Sequence, residues 1–214
     1  MLYEIFDHMH LCTDEAVREM LPLVSEQRRQ QALRYSHTFG RFCCLKSYLM
    51  LLELLSAVYP ELDTSKPEFG YTAQGKPFLL ARPDIHFSIS HTKNAILVAI
   101  SDAPIGVDIE SFRSPSAALI ARTMNATEQA AIAASLELPG TASGLLEPPG
   151  TPEALFSAIW TRKEAVLKLR GTGIEGDLKH VLSGSEAIFT RIFPRKSYAF
   201  SIAQQSISPF EILH

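Results

Sequence analysis

Residues Ile85–Glu110 read IHFSISHTKNAILVAISDAPIGVDIE. Three short runs rich in β-branched residues, "IHFSIS", "AILVAI" and "IGVDIE", predict three strands, and "HTKN" between the first two is suited to a hairpin connection. The third run differs from the others because its far end carries two acids, Asp108 and Glu110. Side chains at i and i+2 on a strand point to one face, so the two carboxylates stand side by side. Such a pair repels itself unless it sits at a water-exposed strand end or holds a cation or proton.

Working outward, an apolar segment near Tyr3–Phe6 precedes two helical patterns. One runs from Glu15 to about Tyr35 with a break near Pro22, and the other from about Gly40 to Tyr59, stopping before Pro60. After Glu110, helices are expected at about Pro115–Met124 and from Ala126 to Leu136. Residues 137–153 then hold Pro139, Pro148, Pro149 and Pro152 with three glycines, the composition of a loop. The helix EALFSAIWTRKEAVLKLRG follows, closed by Gly171 as a C-cap, and "EAIFTRIF" and "SYAFSIAQ" around Pro194 form a β-hairpin. Helices followed by strands thus occur twice, which predicts an α+β fold built as two similar halves.

A chain of 214 residues with 46% hydrophobic residues can bury a normal core. The longest apolar runs are far short of a membrane span, and "MLYEIFDHMH" lacks the pattern of a signal peptide, so no membrane association and a cytoplasmic location are expected. Cys12, Cys43 and Cys44 make an odd count with no usual metal-ligand spacing, which favours reduced thiols. A net charge of −3 argues against nucleic acid as a partner. Locally the balance differs: from Gln27 to Leu52 there is no acid, while Arg28, Arg29, Arg34, Arg41 and Lys46 are all cationic. That segment is either a solvated helix face or a place for a small anion.

In the helix after the loop, Glu164 and Lys168 are four residues apart and share a face with Trp160 and Ala165. Alone they read as a surface ion pair. If the fold brings Glu164 to Asp108 and Glu110, the three carboxylates make an oxygen set for Mg²⁺. Lys76 and Pro77 in "QGKPF" lie on a turn, and Ser90 and His91 end a strand. Ser90 is not read as a nucleophile, because no G-x-S-x-G elbow surrounds it.

In this order, "GKPFL", "IHFSISHTKNAILVAIS", "PIGVDIE" and "FSAIWTRKEAVLKLRGTGI" resemble the 4′-phosphopantetheinyl transferases, specifically the larger, monomeric Sfp-type class. The pair of signatures G-[VI]-D-[IV]-E and W-x-x-K-E-x-x-x-K carries most of the resemblance. The resemblance implies two pseudo-symmetric α+β halves, here 1–112 and 113–214, with coenzyme A in the cleft between them. It implies Asp108, Glu110 and Glu164 as ligands of Mg²⁺, with Mn²⁺ as the alternative, and Lys168 beside the coenzyme A pyrophosphate. It further implies Ser90 and His91 as phosphate-binding positions, Lys76 and Pro77 beside the adenine and phosphates, and Arg28 and Arg41 near the 3′-phosphate. The implied reaction moves phosphopantetheine from coenzyme A to a serine of an apo-acyl or peptidyl carrier protein and releases 3′,5′-ADP, with Glu164 as the base, supported by Lys168 and Asp108. Carrier docking is expected on the second half, near SPSAALIARTM, through Leu119, Ile120, Met124 and Arg122. A metal-dependent nucleotide phosphohydrolase would use the same carboxylates and lysine. A non-enzymatic coenzyme A or carrier-binding module would not need the full set.

Overall fold

The computed structural model describes residues 1–65, 67–135, 151–173 and 177–205. It divides into two compact units, Met1–Pro104 and the described residues from Ile105 onward. The division falls ahead of the strand that carries Asp108 and Glu110, because that strand hydrogen-bonds to the C-terminal hairpin.

The first unit opens with β1 (Leu2–Phe6), then α1 (Asp14–Met20) and α2 (Glu26–Leu33). A short 3-10 turn at Leu21–Leu23 holds Pro22, so the helical pattern breaks there as expected, into two helices with separate caps. Thr13 and Ser25 accept from the backbone N–H of Ala16 and Arg28, satisfying donors that a helix start leaves open. α3 (Thr38–Val58) is capped by His37, whose Nδ1 accepts from Gly40 N at 3.0 Å. A small hairpin of β2 (Phe69–Tyr71) and β3 (Pro77–Leu79) was not expected from the sequence; each strand has three residues, too short to show alternation. β4 (His86–Thr92) and β5 (Ala95–Ser101) follow as an antiparallel pair, and the sheet order is β1-β5-β4. β5 is central and buried throughout. Ile96, Val98 and Ile100 of β5 pack with Phe42, Leu45 and Leu51 of α3 in the main apolar cluster of this unit.

The second unit begins with β6 (Ile105–Ser111), followed by α4 (Ala117–Thr123) and α5 (Ala126–Ala134). α6 (Pro152–Arg170) starts at Thr151, which accepts from Ala154 N, and ends at Gly171 with φ 70°, the left-handed cap expected of a glycine. Pro152 was expected in the loop but is the first residue of this helix, since proline at the first helical position has no donor to lose. Of the remaining loop expectation, 137–150 lies outside the described residues. β7 (Ala187–Phe193) and β8 (Tyr198–Gln204) form the expected hairpin, and the sheet order is β6-β8-β7, all antiparallel.

α6 lies on one face of this sheet. That face presents Gly106, Asp108 and Glu110 from β6 and Ala199, Ser201 and Ala203 from β8, a row of small or polar side chains that lets the helix approach closely. At Gly106 a β-carbon would run into the carbonyl oxygen of Ala165 and the backbone nitrogen of Leu169. Glycine is required there by the nearness of the helix backbone. Thr161 of α6 and Thr190 of β7 both hydrogen-bond Ser201, at 2.8 and 2.9 Å. Met124, expected on an exposed docking face, is fully buried in a cluster with Ile132, Phe156 and Ile159. Leu119 and Ile120 pack against that cluster, while Arg122 is exposed. Among the described residues, no helix is long and apolar enough to cross a membrane.

Candidate active site

β6 and α6 run in opposite directions across their contact. Gly106 faces Ala165 and Leu169, Asp108 meets Lys168, and Glu110 accepts a hydrogen bond from Trp160. The strand's i, i+2, i+4 face and the helix's 160, 164, 165, 168 face are therefore the two walls of one site, entirely within the second unit.

Asp108 lies in the middle of β6 with its side chain only 7% exposed, and its Oδ1 accepts from Lys168 Nζ at 2.7 Å. Of the two alternatives the sequence left open, a water-exposed strand end does not apply to Asp108: α6 covers the strand, and a lysine supplies the opposite charge. Lys168 itself is 33% exposed, so its ammonium stands at the edge of the buried region. The neighbouring carboxylates show the strain of their number. Burial, then repulsion from Asp108, raises the pKa of Glu110, opposed by Arg113, Lys168 and the Trp160 hydrogen bond. Burial, then Asp108, also pushes Glu164 up to about 6, with Lys168 opposing and Glu110 adding. Trp160 is held by stacking on Phe156, with ring centroids 6.2 Å apart and planes 14° apart.

Lys163 had no role in the sequence reading. It is fully buried, and its Nζ donates to Glu128 Oε2 at 2.7 Å and to the carbonyl oxygens of Thr123 and Leu178 at 2.8 Å each. Its only sequence signal was its place in W-x-x-K-E, directly before Glu164. Arg113, which acts on Glu110, gave no signal at all.

Among the described residues, no three Asp, Glu, His or Cys side chains converge into a ready metal cage. The donor set nevertheless fits a hard divalent cation. Three carboxylates influence one another's ionisation, two of them are shifted toward the protonated form, and all offer oxygen only.

The other expected site residues lie in the first unit. Arg28 is half-buried, with its guanidinium 4.5 Å from the Tyr48 ring centroid and its Nη1 3.8 Å from Cys44 Sγ. Arg41 donates from Nε to the Tyr35 carbonyl at 2.9 Å. Lys76 ends a tight turn whose Gly75 has φ 84°, and burial holds its ammonium below the ordinary lysine pKa. Pro77 begins β3. Ser90 and His91 are consecutive on β4 and so point to opposite faces. Ser90 is buried, while His91 is exposed and stacks on Phe39 with centroids 6.0 Å apart.

Residues 104–206, almost the whole second unit, match the family model described as the 4′-phosphopantetheinyl transferase superfamily. The second unit is therefore similar to the domain that this superfamily model describes, over a little under half of the chain. Similarity to individual members extends across both units. The chain is 28% identical over 158 residues to 4′-phosphopantetheinyl transferase psf-1 of Bacillus pumilus, covering 74% of this chain and 62% of that one. It is 27% identical over 173 residues to 4′-phosphopantetheinyl transferase Sfp of Bacillus subtilis (strain 168), covering 81% and 71%. It is 30% identical over 174 residues to an L-aminoadipate-semialdehyde dehydrogenase-phosphopantetheinyl transferase of Eremothecium gossypii, covering 78% and 58%. The chain thus spans from somewhat over half to about seven-tenths of these relatives' lengths.

Proposed function

We propose that this protein transfers 4′-phosphopantetheine from coenzyme A to a serine of an apo-carrier protein, releasing 3′,5′-ADP. The reading is supported by the ion pair of Asp108 with Lys168 between β6 and α6, with Glu110 and Glu164 near enough to feel Asp108's charge, in the unit that matches the superfamily. The serine oxygen forms a bond to the β-phosphorus of coenzyme A as the bond to the bridging oxygen breaks, and 3′,5′-ADP departs with that electron pair. Glu164 takes the serine proton. Lys168 neutralises the charge that grows on the 5′-phosphate of the departing 3′,5′-ADP. Asp108, Glu110 and Glu164 would hold Mg²⁺ or Mn²⁺, which when bound neutralises the pyrophosphate. In phosphoryl transfer such positioning and neutralisation is most of what a protein supplies. The nucleotide end is assigned to Arg28, Arg41, Lys76, Pro77, Ser90 and His91 of the first unit. Exposed Arg122 on α4 is assigned to the acidic surface of the carrier.

The test is the intact mass of apo-acyl and apo-peptidyl carrier proteins after incubation with this protein, coenzyme A and Mg²⁺. A gain of one phosphopantetheine is expected. Unchanged carriers together with rapid hydrolysis of coenzyme A in their absence would favour the phosphohydrolase instead.

A further inference from the structure

Asp108 is a buried carboxylate, and the ammonium of Lys168 lies 2.7 Å from its Oδ1. The same strand face carries Glu110, and the same helix face carries Glu164, so one lysine serves a site shared by three acids. A buried carboxylate needs a counter-charge, and Lys168 supplies it to the metal-free fold. A divalent cation bound at Asp108 would stand within a few ångströms of that ammonium, and like charges at such distances in a partly buried site repel strongly. Lys168 can give way at low cost. Its side chain is one-third exposed and carries a flexible four-carbon stem, whereas Asp108 is fixed within β6.

Resting on the function proposed above, we infer that Lys168 is a built-in counter-ion of Asp108 that the divalent cation displaces, and that the displaced ammonium becomes the group available to the coenzyme A pyrophosphate. One lysine then does two things in sequence. It keeps the metal-free site neutral enough to fold, and it is released toward the substrate only when the metal has taken its place. Metal and coenzyme A consequently favour each other's binding, and by linkage the coupling is the same in both directions. The side chain that completes the substrate site is the one that competes with the metal when substrate is absent.

The test is a titration of the full chain with Mn²⁺, following free Mn²⁺ by electron paramagnetic resonance, first without and then with coenzyme A. Lys168→Met and Lys168→Gln should each bind Mn²⁺ about tenfold more tightly than wild type when coenzyme A is absent, because the competing charge is gone. Lys168→Arg, which keeps the charge, should stay at or below wild-type affinity. Coenzyme A should raise Mn²⁺ affinity in wild type and by a clearly smaller factor in Lys168→Met. Equal or weaker Mn²⁺ binding by both neutral variants would overturn the inference, as would an absence of binding to any form at millimolar metal. Should the neutral variants fail to fold, the wild type decides. Its Lys168 ζ-ammonium resonance, assigned by its loss in Lys168→Arg, should move to that of a solvated lysine on adding Mg²⁺, and an unmoved resonance would overturn the displacement. A wild type that fails to modify carriers yet shows the Mn²⁺ pattern would retire the transferase reading alone.

Discussion

Lys163 and Glu128 form a buried ion pair, Nζ to Oε2 at 2.7 Å, in which the lysine side chain is 1% exposed and all three of its protons are donated. Glu128 Oε2 also accepts from the backbone of Asn125 at 2.8 Å, closing a capping box at the start of α5. The lysine thus ties α6 to the end of α4, the start of α5 and the segment at Leu178, from the residue directly before Glu164.

Replacing Lys163 with Met should cost about 3–5 kcal/mol of stability, because Glu128 and two carbonyl oxygens would be left buried without their donor. Urea unfolding of the two proteins measures this. A loss under about 1 kcal/mol would mean that water replaces the ammonium.

Gly106→Ala should destabilise by about 1–3 kcal/mol, since the added carbon meets helix backbone rather than a movable side chain. Turnover per folded molecule should fall as well, because α6 is the element that carries Glu164 and Lys168. Unchanged kinetics in the folded variant would show that the site tolerates movement of the helix.

Asp108→Ala should abolish phosphopantetheine transfer while costing only about 1 kcal/mol, because the lysine left behind is partly exposed and can reach water. Carrier mass after long incubation and a thermal melt check both halves of that statement. Transfer at near-normal rate would remove Asp108 from the machinery.

Glu164 gives a pH signature. Its pKa is raised from 4.5 to about 6 in the folded protein, so the native state holds this proton more tightly than the unfolded chain does. The contribution to stability is therefore fully present below about pH 4.5 and is lost as pH rises through about 6. In metal-free protein, Glu164→Gln should gain on the order of 1 kcal/mol relative to wild type between pH 4 and pH 7, after allowance for solvent screening. Parallel stability curves across that range would contradict the raised pKa. The same variant should lower kcat by about 10²-fold or more with Mg²⁺ and carrier present.

At the nucleotide end, coenzyme A should bind more tightly than its analogue lacking the 3′-phosphate, and Arg41→Ala should shrink the difference. Calorimetry at two salt concentrations tests it, since contacts of this kind weaken with ionic strength. Equal binding of both ligands by the wild type would send the 3′-phosphate elsewhere.

The strands Ile85–Glu110, the helix closed at Gly171 and the hairpin around Pro194 were legible because each is decided locally. Alternation, a glycine with φ 70° and a turn-forming proline act within a few residues of themselves. The i, i+2 geometry of Asp108 and Glu110 and the i, i+4 geometry of Glu164 and Lys168 were legible for the same reason. The short hairpin of β2 and β3 was not, because three-residue strands are too short to show alternation and Phe69 packs on Tyr48 and Phe87, which are distant in sequence.

Local periodicity, then, was enough to put two acids on one strand face and an acid and a lysine on one helix face. Only the tertiary structure decided that those faces meet, because the approach depends on Gly106, Ala199, Ser201 and Ala203, small residues whose spacing carries no pattern until the strands are paired. It also decided the surroundings of the charged groups. Asp108 is buried against Lys168, Glu164 is pushed toward pH 6, and Lys163 is spent entirely on holding α6 in place. Burial and the distance between charges are properties of packing, and no stretch of sequence contains them alone.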